Sequence, residues 1–302
     1  MVSGINYPWT IFQGRPNYGC DFGRNQWDSH AGVTAHLDEV RDDFRAMADL
    51  GIDVARWFVF TDGRGGVEWS SGGELIGIAE RFDDDMAAAL EIAADANVRL
   101  CLVLVDFAWL DHAGRRAALE SGAFVDRVIS PFIDRYGSHP AIHSFDVINE
   151  PDWVTHELAT NPRRAVWPLD QLRRFVNAMS ARIRRGSTAL LTLGGGRVKF
   201  AKEWDDPIYG LDFVQVHSYP DVRYQDRDVS VFERTAADFG LTKPLLIGEC
   251  PSHPRLHPPD HLSPAYTLDD YLALARDGGY LGAWPWSFKG VDAFGSVPPV
   301  TR

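Results

Sequence analysis

A chain of 302 residues with 45% apolar residues is long enough to bury a large core, and its formal net charge of -12 argues against nucleic acid or an anionic membrane as main partner. That balance suits a neutral ligand such as a sugar, and ten Trp supply flat apolar faces that serve a sugar cleft as well as a core. Cys20, Cys101 and Cys250 are an odd set without paired spacing, which excludes a disulfide framework or a zinc ribbon as the organising principle.

Taken in order, the first strand is expected near 4–8, with no basic segment and apolar run ahead of it of the kind that marks a secretory leader. Leu37, Val40, Phe44, Met47, Ala48 and Leu50 recur at helical spacing and predict a helix over 33–50, ended by Gly51. A strand at 52–60 and a glycine-rich loop at 61–77 follow. The next helix, 82–96, opens on Asp83-Asp84-Asp85, a charge that favours a helix N-terminus, and leads to a strand at 98–105. Pro131 predicts a kink or break in a helix at 121–136. The strand at 142–149 gives way to a long loop, 151–167, and a helix at 168–185. Then come a strand at 189–193, the run Gly194-Gly195-Gly196, a short helix near 198–205 and a strand at 213–219. A helix at 228–239, a strand at 245–249, a proline-rich loop at 251–264, a helix at 267–277 and a strand at 280–288 complete the pattern.

Eight near-continuous apolar strands alternating with helices predict a single (β/α)8 TIM barrel over 1–302. The Gly/Pro/Val-rich stretch 289–302 leaves its last helix short or missing. A doubly wound sheet is the competing architecture, but no G-x-G-x-x-G follows the first strand and the triple glycine lacks the phosphate-loop lysine. No apolar run approaches the roughly 20 residues that span a bilayer, so the expected location is the cytoplasm.

Active sites of such barrels sit at the C-terminal ends of the strands. Those ends carry Asn6, Tyr7 and Trp9, then Arg56, Asp106, Asn149 and Glu150, His217 and Tyr219, Glu249, and Trp284 and Trp286. Glu150 and Glu249 each terminate an apolar run, and a carboxylate at the end of a buried strand is costly unless it is paired or used. Two carboxyl groups facing one another across a barrel mouth are the equipment for cleaving a glycosidic bond: about 5–5.5 Å apart in a retaining enzyme, roughly 6.5–9.5 Å in an inverting one. Arg56 can hold Glu249 ionised, Tyr219 can donate to the same carboxylate, Asn149 can read a sugar 2-OH, and His217 can orient Glu150. Asn6, Trp9 and Asp106 read equally as substrate contacts and as strand-cap or packing residues, and Trp284 and Trp286 are expected to alternate so that one faces the barrel axis. The histidine-bearing loop 252–261 reads as a solvated cover of the cleft rather than a metal site. The pairs Arg163-Arg164, Arg173-Arg174 and Arg184-Arg185 read as exposed charge.

The ends Asn149-Glu150-Pro151, His217-Ser218-Tyr219, Glu249 and Trp286-Ser287 together resemble clan A of the glycoside hydrolases, and most of all the cellulase-like family 5. The resemblance implies a retaining β-glycoside hydrolase without metal or organic cofactor, with Glu150 as acid/base and Glu249 as nucleophile. It also implies that Arg56, Asn149, His217, Tyr219 and Trp286 line the −1 subsite. Family 5 enzymes often carry histidine at the end of the third strand, where this chain has Asp106-Phe107-Ala108-Trp109. A short oligosaccharide or small glycoside, a β-mannoside or β-glucoside, is the expected substrate. Endo action on a β-1,4-glucan or mannan, sugar transfer to an acceptor, and a non-catalytic carbohydrate-binding barrel are the competing functions.

Overall fold

The computed structural model describes residues 1–159, 161–219, 230–252 and 266–290. Eight strands run parallel and pair in chain order: β1 (Gly4–Asn6), β2 (Val54–Phe58), β3 (Arg99–Val103), β4 (Ile142–Asn149), β5 (Leu190–Gly195), β6 (Val214–His217), β7 (Leu245–Pro251) and β8 (Ala283–Trp286). The seam between β8 and β1 is joined by Phe288 N donating to Asn6 O and Val2 N donating to Leu281 O, so the sheet curls into a (β/α)8 barrel.

The inward faces fill the barrel in layers. Along β2, Val54, Arg56 and Phe58 are two residues apart and share one face. Val54 packs with Cys101, Phe213, Leu246 and Trp284 in a lower apolar layer, and Phe58 packs with Val103 and Trp286 in an upper one. Arg56 therefore sits between two apolar layers, wholly buried, in a polar layer with Asn6, Asp146 and Gln215. Trp284 and Trp286 do not alternate: residues two apart on a strand project to the same side, and both fill the barrel, at different heights. Glycine is required where these large side chains cross the barrel. A Cβ on Gly4 would lie 2.3 Å from Trp284 Cε2, and one on Gly248 2.3 Å from Gln215 Cγ.

Outside the barrel the helices bury their apolar faces on the strands. These are α1 (Leu37–Asp49), α2 (Phe82–Asp95), α3 (Ala108–Asp111), α4 (Ala113–Glu120), α5 (Ser130–Tyr136), α6 (Leu169–Gly186), α7 (Ala201–Trp204), α8 (Ser230–Glu233) and α9 (Leu268–Asp277). Phe44 and Met47 of α1, Phe82 and Met86 of α2, and Met179 and Ile183 of α6 join Trp57, Leu102 and Phe145 in one apolar cluster.

Several elements depart from the sequence pattern. The loop 61–77 contains an antiparallel hairpin, Val67–Trp69 with Leu75–Ile78. Two short helices, α3 and α4, occupy the stretch after β3. Pro131 has no N–H to give to the carbonyl four residues earlier, and the chain passes through a π-helical turn, Val125–Ile129, before α5 starts with Pro131 in its first turn. Gly194 and Gly195 belong to β5. The helix expected over 228–239 is broken into α8 and a 3-10 turn, Ala236–Phe239, which Thr235 and Asp238 cap reciprocally. Most of the loop 251–264 and of the stretch 289–302 lies outside the described residues. Among the described residues no helix is long and apolar enough to cross a membrane.

Candidate active site

The C-terminal ends of the strands open on a cavity of about 550 Å³. Its walls include Trp9, Asp106, Asn149, Glu150, His217, Tyr219, Glu249 and Trp286. Eight of the twelve residues picked out at the strand ends are thereby brought into one space.

Glu150 follows β4 directly, with its backbone in the left-handed region (φ 49°, ψ 43°) and its N–H donated to Gly194 O at 2.6 Å. A non-glycine residue held in that conformation stores strain that the surroundings must outweigh. Here it turns the chain sharply from strand into the 3-10 turn Pro151–Trp153. Glu249 sits where β7 gains a residue relative to β6: Val216 pairs with Ile247, but His217 pairs with Glu249. Such an irregularity re-aims a side chain, and Glu249 remains only 4% exposed.

The two carboxyl groups are held differently. Arg56 Nη1 donates to Glu249 Oε1 at 2.6 Å, and Tyr219 Oη donates to Oε2 at 3.0 Å. Glu150 pairs through Oε1 with His217 Nδ1 at 2.8 Å and accepts at Oε2 from Trp153 Nε1 at 3.0 Å. Oxygens of Glu150 and Glu249 and a ring nitrogen of His217 all lie within 4.8 Å of one another.

Burial raises Glu150 to about 7, the charge of Asp152 adds to it, and the hydrogen bond from Trp153 opposes it. Burial raises Glu249 as well, and the Arg56 guanidinium works against that rise. Burial pushes His217 down to about 4 against the pull of Glu249, so its imidazole is neutral at neutral pH and Arg56 is the standing cation. His217 Nδ1 faces Glu150 Oε1, while Nε2 has no hydrogen-bond partner among the described residues.

Arg56 and Asn6 do not line the cavity. All five guanidinium N–H groups of Arg56 are committed: two to Asp146, one to Asn6, one to Asn149 and one to Glu249. Nothing is left to reach a substrate, so the expected direct contact gives way to a supporting position. Burial works against the charge of Arg56, yet Asp146 and Glu249 hold it firmly protonated. Asn6 spends its amide nitrogen on the carbonyls of Gly248, Trp284 and Pro285 and its oxygen on Arg56. Asn149 accepts from Arg56 at 2.6 Å and donates one N–H to Asp106 at 2.7 Å, which leaves the other N–H unassigned. Asp106, raised to about 7 by burial, also accepts from Ala108 N at 2.8 Å.

Other wall residues escape a reading of strand ends. Phe58, Thr61, Asp62, Phe107, Trp153 and Arg164 line the cavity. Arg164, expected as exposed charge, pairs with Asp111 at 2.9 Å and lies over the Phe107 ring. Trp153 had a local signal, three residues after Glu150 in the same turn. The buried pair of Arg197 and Asp152, 2.8 Å apart but separated by 45 positions, had none.

Glu150, His217 and Glu249 also have the donor types of a metal site. Glu249 Oε1, however, already holds a fixed guanidinium charge at 2.6 Å, which works against a second cation in this set.

No family model and no curated protein matches the chain. Solved structures match over nearly its whole length. The endo-1,4-beta-mannanase of Eisenia fetida superposes with a TM-score of 0.78 at 24% identity, covering 98% of this chain and 87% of that one. The beta-mannanase of the blue mussel Mytilus edulis gives 0.75 at 22%, covering 96% and 88%. The exo-beta-1,4-mannosidase Op5Man5 of an Opitutaceae bacterium gives 0.62 at 17%, covering 95% and 52%. At these identities the likeness establishes the barrel.

Proposed function

We propose that this chain is a retaining glycoside hydrolase of the family 5 type that cleaves β-mannosides, with Glu249 as nucleophile and Glu150 as acid/base. The observation that carries the reading is the carboxyl pair: oxygens within 4.8 Å of each other, one carboxyl clamped by a cation and the other raised to about 7. Oxygens that close support the short retaining arrangement over the longer inverting one.

In the first step Glu249 attacks the anomeric carbon while the bond to the leaving oxygen breaks and that oxygen takes the proton of Glu150. In the second, Glu150 takes a proton from water, which attacks the anomeric carbon and frees Glu249. Tyr219 and Arg56 hold the nucleophile ionised and in place. The uncommitted N–H of Asn149 suits a sugar hydroxyl. Trp9 Nε1 and Thr61 Oγ1 are buried without a partner among the described residues, and both side chains line the same cavity.

The mannoside assignment rests on the likeness to beta-mannanases and an exo-mannosidase. A panel of aryl β-glycosides tests it: the mannoside is expected to turn over fastest, and a panel with no turnover at all would leave a non-catalytic sugar-binding barrel. Endo action on β-1,4-mannan is the second reading, favoured by the named endo-mannanase. Mannose as the sole product from mannohexaose means exo action, a mixture of shorter oligosaccharides means endo action, and longer products mean sugar transfer.

The pH profile follows from the two carboxyl groups. Glu150 must be protonated to act, so kcat/KM is expected to fall as pH rises through about 7. Glu249 must be ionised, so kcat/KM also falls on the acid side. A profile of kcat/KM that stays level from pH 6 to 9 would contradict the assignment of Glu150.

A further inference from the structure

Trp153 stands in an unusual relation to Glu150. Its indole Nε1 donates to Glu150 Oε2 at 3.0 Å while its ring forms part of the cavity wall. With His217 Nδ1 on Oε1 at 2.8 Å, both oxygens of this carboxyl group are held. The indole is fixed in turn. The Arg197 guanidinium lies 4.7 Å above the ring centroid, buried and tied to Asp152 Oδ2 at 2.8 Å. Asp152 Oδ1 accepts from Gly196 N at 2.7 Å. Gly196 is what lets indole and carboxyl meet: a Cβ there would lie 2.7 Å from Trp153 Nε1 and 3.2 Å from Glu150 Cδ. The last glycine of the triple run thus has a task that its sequence context did not disclose.

We propose that Trp153 is a positioning residue for proton transfer by Glu150: its indole N–H fixes the carboxyl rotamer and strengthens its hold as the carboxylate forms. The inference rests on the reading of Glu150 as acid/base. As the glycosidic C–O bond breaks, the leaving oxygen takes the proton, and the carboxyl group becomes an anion that accepts the indole N–H more strongly than the neutral acid did. An interaction that grows along the reaction lowers the barrel's barrier to the chemical step rather than merely binding substrate. The effect belongs to substrates whose leaving group needs a proton.

The test compares two β-mannosides: mannobiose, whose leaving sugar must be protonated, and a 2,4-dinitrophenyl mannoside, whose leaving group need not be. Trp153→Phe keeps an aromatic ring at the position beneath Arg197 and removes the pyrrole half of the indole with its N–H. It is expected to lower kcat/KM on mannobiose about tenfold more than on the dinitrophenyl substrate, on the scale of one charge-assisted hydrogen bond. Because the N–H favours the ionised carboxyl, its removal moves the basic limb of the profile to higher pH. Gly196→Ala, which crowds the indole nitrogen and the carboxyl group where they meet, is expected to reproduce the split. Equal losses on both substrates with an unmoved limb, or no loss on either, would overturn the proposal. Glu150→Ala separates the two levels of inference. If that variant shows the leaving-group split and Trp153→Phe does not, the proposal alone fails; if Glu150→Ala shows no split, the acid/base assignment fails and takes the proposal with it.

Discussion

Glu249→Ala is expected to lower kcat on the order of 10⁵-fold, the scale on which loss of a covalent nucleophile is felt. The side chain is buried and held from two sides, so the deletion removes the attacking atom without emptying the cavity of its other walls. Azide distinguishes the two glutamates by stereochemistry. In the Glu249→Ala enzyme an azide ion fills the vacated space and attacks from the nucleophile's side, giving an α-glycosyl azide from a β-glycoside. In Glu150→Ala, azide intercepts the glycosyl-enzyme from the opposite side and gives the β-glycosyl azide. Nuclear magnetic resonance of the products reads the difference directly. Near-normal hydrolysis by Glu249→Ala, or a β-azide from it, would reverse or remove the assignment.

Arg56→Leu is expected to be the most damaging substitution for the fold, at about 3–5 kcal/mol, because it leaves buried carboxylates without their cation. Asp146 is fully buried and would keep Gln215 Nε2 and Gly194 N as partners but lose both contacts from the guanidinium. Glu249 would lose its nearest donor and rise toward the neutral form, so activity falls together with stability. Lysine is not expected to restore either property. Its ammonium has three donors on a point, and the position uses five in a planar fork. The midpoint of urea unfolding checks the first effect and the acid limb of kcat/KM the second. A midpoint like that of the unaltered protein would show that the barrel interior tolerates the uncompensated charges.

Much of the barrel is legible without coordinates because its strands are apolar runs and its helices repeat their apolar residues at helical spacing. The glutamates stand out for the same reason: each interrupts a run that otherwise avoids charge. Depth is harder to read than height. Arg56 and Asn6 stand at strand ends, but a strand end does not reveal whether a long side chain points out to the cavity or folds back beneath it. The five committed N–H groups of Arg56 turn it beneath the cavity. Trp284 and Trp286 do not alternate as expected, since two positions along a strand return to the same face; Trp286 lines the cavity and Trp284 fills the layer below. The hairpin within 61–77 was hidden by glycines that mark turns and short strands alike. The assembly of Asp152, Arg197, Gly196 and Trp153 behind Glu150 depends on a buried ion pair across distant sequence, which no local pattern announces.

Asn6 joins two things that are ordinarily separate. Its amide nitrogen reaches carbonyls on β7 and β8 across the line where the barrel closes, and its oxygen steadies the arginine that steadies Glu249. The clasp of the cylinder is therefore also a hinge pin of the nucleophile. If the first strand peels away, the chemistry is disarmed before the bulk of the core has melted. Seam and nucleophile share one support, a three-residue strand, so an opening of that strand would undo both at once.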